Sequence, residues 1–131
     1  MGKTLMEFAK EYSGAWAAHD PDAIAALHTD DSVFELHDVR AAATGREAVR
    51  ALIAALITAV PDLRFEPKRA HFGADHFVTE YVMSGTAEGR RFAIAGADVF
   101  TMRDGKTAHV QVHGDTALLE RVYGKKQLAT G

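Results

Sequence analysis

The chain contains no cysteine, which excludes disulfides, thiolate nucleophiles and cysteine-ligated zinc. It has no apolar run long enough to cross a bilayer. It also lacks a signal-peptide apolar core, because Met1-Gly2-Lys3-Thr4-Leu5 passes directly into an amphipathic pattern. An excess of positive charge is missing as well. The 15 lysines and arginines face 18 aspartates and glutamates, for a formal charge of -3, so nothing electrostatic favours nucleic acid or an anionic membrane as partner. Basic residues are scattered, apart from Arg90-Arg91 and Lys125-Lys126. There is no repeat, linker or low-complexity segment. What remains is a chain of 131 residues, 47% hydrophobic and 25% charged, read as one globular domain over residues 1–131 with its own core. A cytoplasmic location is the default these absences leave.

Leu5, Phe8, Tyr12 and Ala15-Trp16 recur at helical spacing and predict an amphipathic helix that stops near His19. Asp20-Pro21-Asp22 supplies a cap, a first-turn proline and an acid for a short helix through Ile24 and Leu27. Ser32 to Leu36 reads as a strand and His37 to Ala43 as a loop. Thr44-Gly45-Arg46-Glu47 fits a capping box with threonine as the cap. Val49, Leu52-Ile53, Leu56 and Val60 form the buried stripe of the helix that follows, and Pro61 ends it. Strands are then predicted at about 63–70, 76–86, 91–102 and 107–113. Asp104-Gly105 signals a two-residue hairpin, and Ala87-Glu88-Gly89 a second turn. Helices first and antiparallel strands later define an α+β domain, with helices packed on one face of a curled sheet.

Asp98 is the residue that points to chemistry. On a strand, alternation places it on one face with Phe92, Ile94, Phe100 and Met102. An acid on an apolar face must be hydrogen-bonded, paired or protonated, and a protonated acid can donate to an oxyanion. Tyr12 lies on the apolar stripe of the first helix, where its hydroxyl needs a partner. A Tyr12–Asp98 hydrogen bond would satisfy both groups.

The order of these elements is familiar. Trp16, His19-Asp20-Pro21-Asp22-Ala23 and Asp30-Asp31-Ser32-Val33-Phe34 resemble the opening of the nuclear-transport-factor-2-like superfamily. Residues 45–50 (Gly-Arg-Glu-Ala-Val-Arg), 61–66 (Pro-Asp-Leu-Arg-Phe-Glu), 96–100, 103–106 and 115–119 resemble its SnoaL-like branch, which includes polyketide cyclases. The resemblance covers nearly the whole chain. It implies a cone-shaped, cystatin-like α+β barrel, in which a curved antiparallel sheet wraps N-terminal helices around an internal pocket. The fold carries isomerases, cyclases, dehydratases, epoxide hydrolases and proteins without catalysis.

Ketosteroid isomerases share this fold, and Tyr12 and Asp98 match their two oxyanion donors. Their general base is an aspartate where this chain has Leu36, with Glu35, His37 and Asp38 nearby. SnoaL-like cyclases use an acid after the last strand, a place matched by Asp115. The comparison turns His109, Gln111, His113 and Asp115 toward the cavity, where His113–Asp115 or His109–Asp98 would form an acid/base pair. Epoxide hydrolases of this fold carry an arginine two residues before the strand aspartate, and here that residue is Gly96. Alternating positions such as His109, His113 and Asp115 form no known ligand signature, so no metal is assigned.

The expected pocket is largely apolar, lined by Trp16, Phe34, Leu36, Tyr81, Met83, Phe100 and Met102, with Gln111 as a polar anchor. These readings converge on a cofactor-independent enzyme for proton transfer on a small apolar carbonyl compound, through isomerisation, cyclisation or dehydration. The alternative is a ligand-binding protein of the same fold without catalysis. Many members of the superfamily are homodimers through the outer sheet face. Here Ala93, Ala95, Ala97, Val99 and Thr101, with Ala108, Val110 and Val112 of the last strand, offer small apolar surfaces for a second copy.

Overall fold

A computed structural model describes residues 3–36, 41–115 and 122. The first helix, α1 (Leu5–Ala17), starts with a reciprocal capping box. The Thr4 hydroxyl accepts from the Glu7 N–H at 3.1 Å, and the Glu7 carboxylate accepts from the Thr4 N–H at 2.9 Å. Its buried face carries Phe8 and Tyr12. In α2 (Pro21–Ala26), proline takes the first turn and the Asp20 side chain accepts from the Ala23 N–H at 3.1 Å.

The helix α3 (Arg46–Ala59) buries Val49, Leu52, Ile53 and Leu56, the stripe its spacing predicts. Its cap differs from the sequence expectation. Gly45, at φ 92°, occupies the cap with no side-chain hydrogen bond, because Thr44 is drawn into a strand opposite Val33.

Six strands follow the order β2-β1-β6-β5-β4-β3 in one curved, unclosed sheet. They are β1 (His28–Leu36), β2 (Ala41–Thr44), β3 (Arg64–Phe72), β4 (His76–Ala87), β5 (Arg90–Arg103) and β6 (Lys106–Gly114). The strands β3 to β6 form an antiparallel meander. Two of its turns are the Glu88-Gly89 and Asp104-Gly105 pairs, all four residues at positive φ (52°, 77°, 55° and 77°). Paired left-handed residues match the twist of the flanking strands. Two features depart from expectation. Residues 41–44 form β2 where a loop through Ala43 and a helix cap at Thr44 were expected. The β1–β6 pairing is parallel, which alternation of apolar residues cannot reveal.

A break in the β1 register between His28 and Val33 is clamped by Arg46. Its guanidinium donates twice to the His28 carbonyl, at 3.1 and 2.7 Å, and pairs with Asp30 at 2.6 Å. The core joins α1 to the sheet through stacked aromatics. Phe77 and Phe100 lie 4.3 Å apart at 9°, and Phe8 meets Phe77 edge-on at 6.1 Å. Among the described residues, no helix is long and apolar enough to cross a membrane.

Candidate active site

A cavity of about 700 Å³ lies between α1 and the sheet, within the usual range for small-molecule sites. Its wall is largely apolar. Trp16, Phe34, Leu36, Tyr81, Met83 and Phe100, all expected at a pocket, line it together with Tyr12, Asp98 and Val112. Met102 does not. A register break between Thr101 and Met102 carries it to a shallow depression beside Leu5 and Phe8.

Asp98 sits on this wall, and burial pushes its carboxyl up to about 7. Its hydrogen-bond partner is not Tyr12, as expected, but Tyr81, whose hydroxyl donates to Oδ1 at 2.7 Å. Gly96 makes that contact possible. Tyr81 stands directly opposite Gly96 in the β4–β5 ladder, and a Cβ on Gly96 would lie 3.0 Å from the Tyr81 ring and hydroxyl. Without that Cβ, the ring lies across β5 and reaches Asp98 two residues along. The donated bond opposes the effect of burial, holding the carboxyl lower than desolvation alone would.

Tyr12 is 4% exposed, and its oxygen lies 3.0 Å from His28 Nε2. Burial pushes the phenol up. A hydrogen bond from Trp16 opposes this, and the Asp98 charge adds to it. The phenol therefore keeps its proton. His28 is fully buried, and burial aided by Arg46 lowers its imidazole to about 4, so the ring is neutral. Its Nδ1 has no partner among the described residues. A proton on Nδ1 would leave a buried donor unmade, the rarer and costlier defect. The network therefore assigns the proton to Nε2, which donates to the Tyr12 oxygen. The Trp16 indole, a donor only, approaches the same oxygen. Tyr12 accepts from both neighbours, and its own O–H is left for the cavity.

The last strand corrects the sequence reading. Val110 faces Phe100 and Val112 faces Asp98 across β5, so the valines share the cavity side. Val110 is fully buried. His109, Gln111 and His113 therefore project from the opposite face of the sheet. There His109 meets Glu35 at 3.0 Å and the Gln111 amide donates to Glu35 at 3.4 Å. No His109–Asp98 pair forms. Asp115 is exposed beyond the end of β6. His37 and Asp38 lie outside the described residues, as do residues 116–119. No group of three metal-ligating side chains occurs among the described residues.

Sequence reasoning missed two participants, Tyr81 as the partner of Asp98 and His28 as the partner of Tyr12. The signal for the first was Gly96 in mid-strand, a place where glycine marks a close approach. The second depends on the β1 register break and has no signal in the alternation.

The SnoaL-like domain family matches residues 9–110, and the chain belongs to that family. No curated protein matches it significantly. Among solved structures, it is similar to a cystatin-like-fold protein of unknown function from Xanthomonas campestris (18% identity, 93% of this chain and 99% of that one, TM-score 0.83). It is also similar to a hypothetical protein of ketosteroid isomerase-like fold from Catenulispora acidiphila, solved with trimethylamine (24%, 84% and 86%, TM-score 0.77). A third is a putative polyketide cyclase from Sinorhizobium meliloti (22%, 82% and 94%, TM-score 0.70). At these identities the likeness establishes the fold, cystatin-like and α+β.

Proposed function

We propose that the protein is a cofactor-independent enzyme that moves a proton on a small, mostly apolar carbonyl compound held in the cavity. The observation that carries this reading is Asp98. It is an acid on the wall of an apolar cavity, poised near neutrality by burial and by Tyr81, on a surface it shares with Tyr12. A general base works best when its pKa lies near the working pH.

In this mechanism the substrate carbonyl accepts a hydrogen bond from Tyr12. The ionised Asp98 takes a proton from the adjacent carbon. The C–H electron pair moves into the carbonyl system, and the resulting enolate oxygen is held by Tyr12. Asp98 then returns the proton to another carbon, which completes an isomerisation. Expulsion of a β-hydroxyl, which takes the proton from Asp98 and leaves as water, would give dehydration, and attack of the enolate carbon on a second carbonyl, whose oxygen takes that proton, would give cyclisation. The putative polyketide cyclase among the structural neighbours fits the last variant. Asp98 thus takes the proton-moving role the sequence offered to Asp115 or a β6 histidine.

A second reading, a ligand-binding protein without catalysis, is favoured by one observation. Leu36 is 4% exposed on the cavity wall, where the resemblance to ketosteroid isomerases expects a base. Deuterium uptake from solvent into a panel of cyclic and β-hydroxy ketones separates the two. Catalysed exchange at the carbon next to the carbonyl is expected. Ligand binding without exchange in any member, across the pH range around the Asp98 titration, would leave the binding reading in its place.

Assembly as a homodimer through the outer sheet face belongs to the same proposal. That face carries Ala95, Ala97 and Val99 of β5, with Val82 and Val78 opposite Ala95 and Val99 on β4. Small apolar residues on a solvent-facing sheet suit a second sheet better than water.

A further inference from the structure

Asp98 is an acid without a counter-ion among the described residues. It accepts a hydrogen bond from Tyr81 at Oδ1 and makes no ion pair with them. Its neighbours across the sheet are Thr79 on β4 and Val112 on β6, and α1 brings Tyr12 and Trp16 to the same cavity. None of these carries a charge. The β3–β4 register turns Arg64 and Arg69 to the outer face, opposite Ser84 and Glu80. Lys68 is engaged by Glu66, and Lys10 is exposed on α1. Burial and the Tyr81 hydrogen bond alone set the state of the Asp98 carboxyl.

Beside this acid, three aromatic residues line the cavity: Trp16 of α1, Phe65 of β3 and Tyr81 of β4. Phe65 meets Trp16 at 5.3 Å and 73°, and Tyr81 at 5.1 Å and 77°. Two near-perpendicular junctions make a corner of rings rather than a flat stack. All three are only partly buried, so ring carbon remains for a ligand to touch. Their polar edges are already committed. The Tyr81 hydroxyl donates to Asp98, and the Trp16 indole approaches the Tyr12 oxygen. A carboxylate beside ring faces suits a cation that needs few hydrogen-bond acceptors.

We infer that this corner binds an organic ammonium ion, tertiary or quaternary, with its nitrogen among Trp16, Phe65 and Tyr81 and its charge against the Asp98 carboxylate. The inference goes beyond the proposed reaction and rests on the cavity wall, not on proton transfer. Ring faces attract a cation through their negative potential, and the attraction grows where water is excluded. The same exclusion strengthens the pull of the carboxylate. A primary ammonium carries three N–H donors, and this wall offers them the Asp98 carboxylate and the Thr79 hydroxyl. A methylated nitrogen presents carbon to the rings instead. Bound there, the cation would keep Asp98 ionised and paired. It would therefore compete with the carbonyl compound for the same acid.

The test compares choline with 3,3-dimethyl-1-butanol, a neutral molecule of the same shape, and with ethanolamine, the primary-amine counterpart. Calorimetry and the fluorescence of Trp16, the single tryptophan, report binding. At pH 8 choline is expected to bind about tenfold more tightly than the neutral alcohol, and ethanolamine more weakly than choline. The preference for choline over the alcohol should fall toward one in Asp98→Asn. It should also fall between pH 8 and pH 5, because the Asp98 carboxyl titrates at about 7 and loses its charge in that range. Phe65→Leu keeps an apolar wall without the ring, and should weaken choline about threefold while leaving the alcohol unchanged. Equal binding of choline and the alcohol in wild type overturns the inference, as does no binding of choline or a preference that persists in Asp98→Asn. The two readings fail separately. Deuterium exchange into ketones with no preference for choline sinks the ammonium inference and leaves the enzyme. A choline preference that depends on Asp98, with no exchange into any ketone, does the reverse.

Discussion

Tyr81 reaches Asp98 because the residue facing Tyr81 across the ladder is glycine. The hydrogen bond of 2.7 Å between them tunes the acid that the proposed mechanism uses. Tyr81→Phe removes the donor while keeping the ring. The Asp98 carboxyl should then rise further, and the limb of the kcat–pH profile that reports its ionisation should move to higher pH. Gly96→Ala should produce a smaller shift in the same direction, because the ring must yield by a few tenths of an ångström. Profiles unchanged in both variants would remove Tyr81 from the site's chemistry.

Asp98→Asn and Asp98→Leu should fold and lose turnover by about 10²–10⁴-fold, the usual range for a positioned acid/base group. Stability should respond to pH in a defined sense. The Asp98 carboxyl is about 7 in the folded protein against an ordinary 3.8. Between those values the native state holds a proton that the unfolded chain has released, so this group makes stability fall as pH rises through the window, levelling above about 7. Denaturant titrations of wild type and Asp98→Asn at several pH values check this. The difference between them should move steadily in the variant's favour from pH 4 to pH 7.

His28 should contribute with the opposite sign. Its imidazole is lowered from 6.5 to about 4, so in that window the unfolded chain binds the extra proton. Its contribution is present above 6.5 and lost as pH falls toward 4. The windows of His28 and Asp98 overlap, and their slopes oppose each other. Wild type should therefore show a flatter pH–stability curve than either His28→Gln or Asp98→Asn. A steep wild-type curve matched by both variants would contradict the assignment of both groups.

The dimer proposal separates two valines that the sequence grouped together. Val99→Lys places a charge on the outer sheet face and should shift sedimentation from twice the chain mass toward the monomer, with the fold retained. Val110→Lys buries the charge in the core, where the valine is 0% exposed, and should unfold the chain. Wild type that sediments as monomer at micromolar concentration would exclude the dimer.

Local signals in the sequence carried much of the fold. The caps at Asp20 and Pro21, the stripe of α3 and the Asp104-Gly105 turn are each determined by neighbours within a few residues. The elements that escaped depend on distant partners. β2 is a strand because β1 accepts it, and β1 joins β6 across about 75 residues in a parallel pairing. At the candidate site, Asp98 was legible as an acid out of place on an apolar strand. Its partner was not, since choosing Tyr81 over Tyr12 requires the β4–β5 register. The β6 error is different in kind. Val110 and Val112 alternate with His109, Gln111 and His113 in the plain apolar-in, polar-out pattern. The family comparison inverted a face that simple alternation assigns correctly.

The seam between β1 and β6 also has a consequence in time. The helices and β1–β2 come from the first half of the chain, and the β3–β6 meander from the second. Tyr12, Trp16 and His28 sit on one side of that divide, Tyr81 and Asp98 on the other. Each half can form by local pairing, but the cavity exists only when the last strand docks alongside the first. Long-range parallel pairing of this kind is slow to form. During synthesis the site is therefore assembled late, and until then the apolar faces destined for the cavity wall are open to other chains.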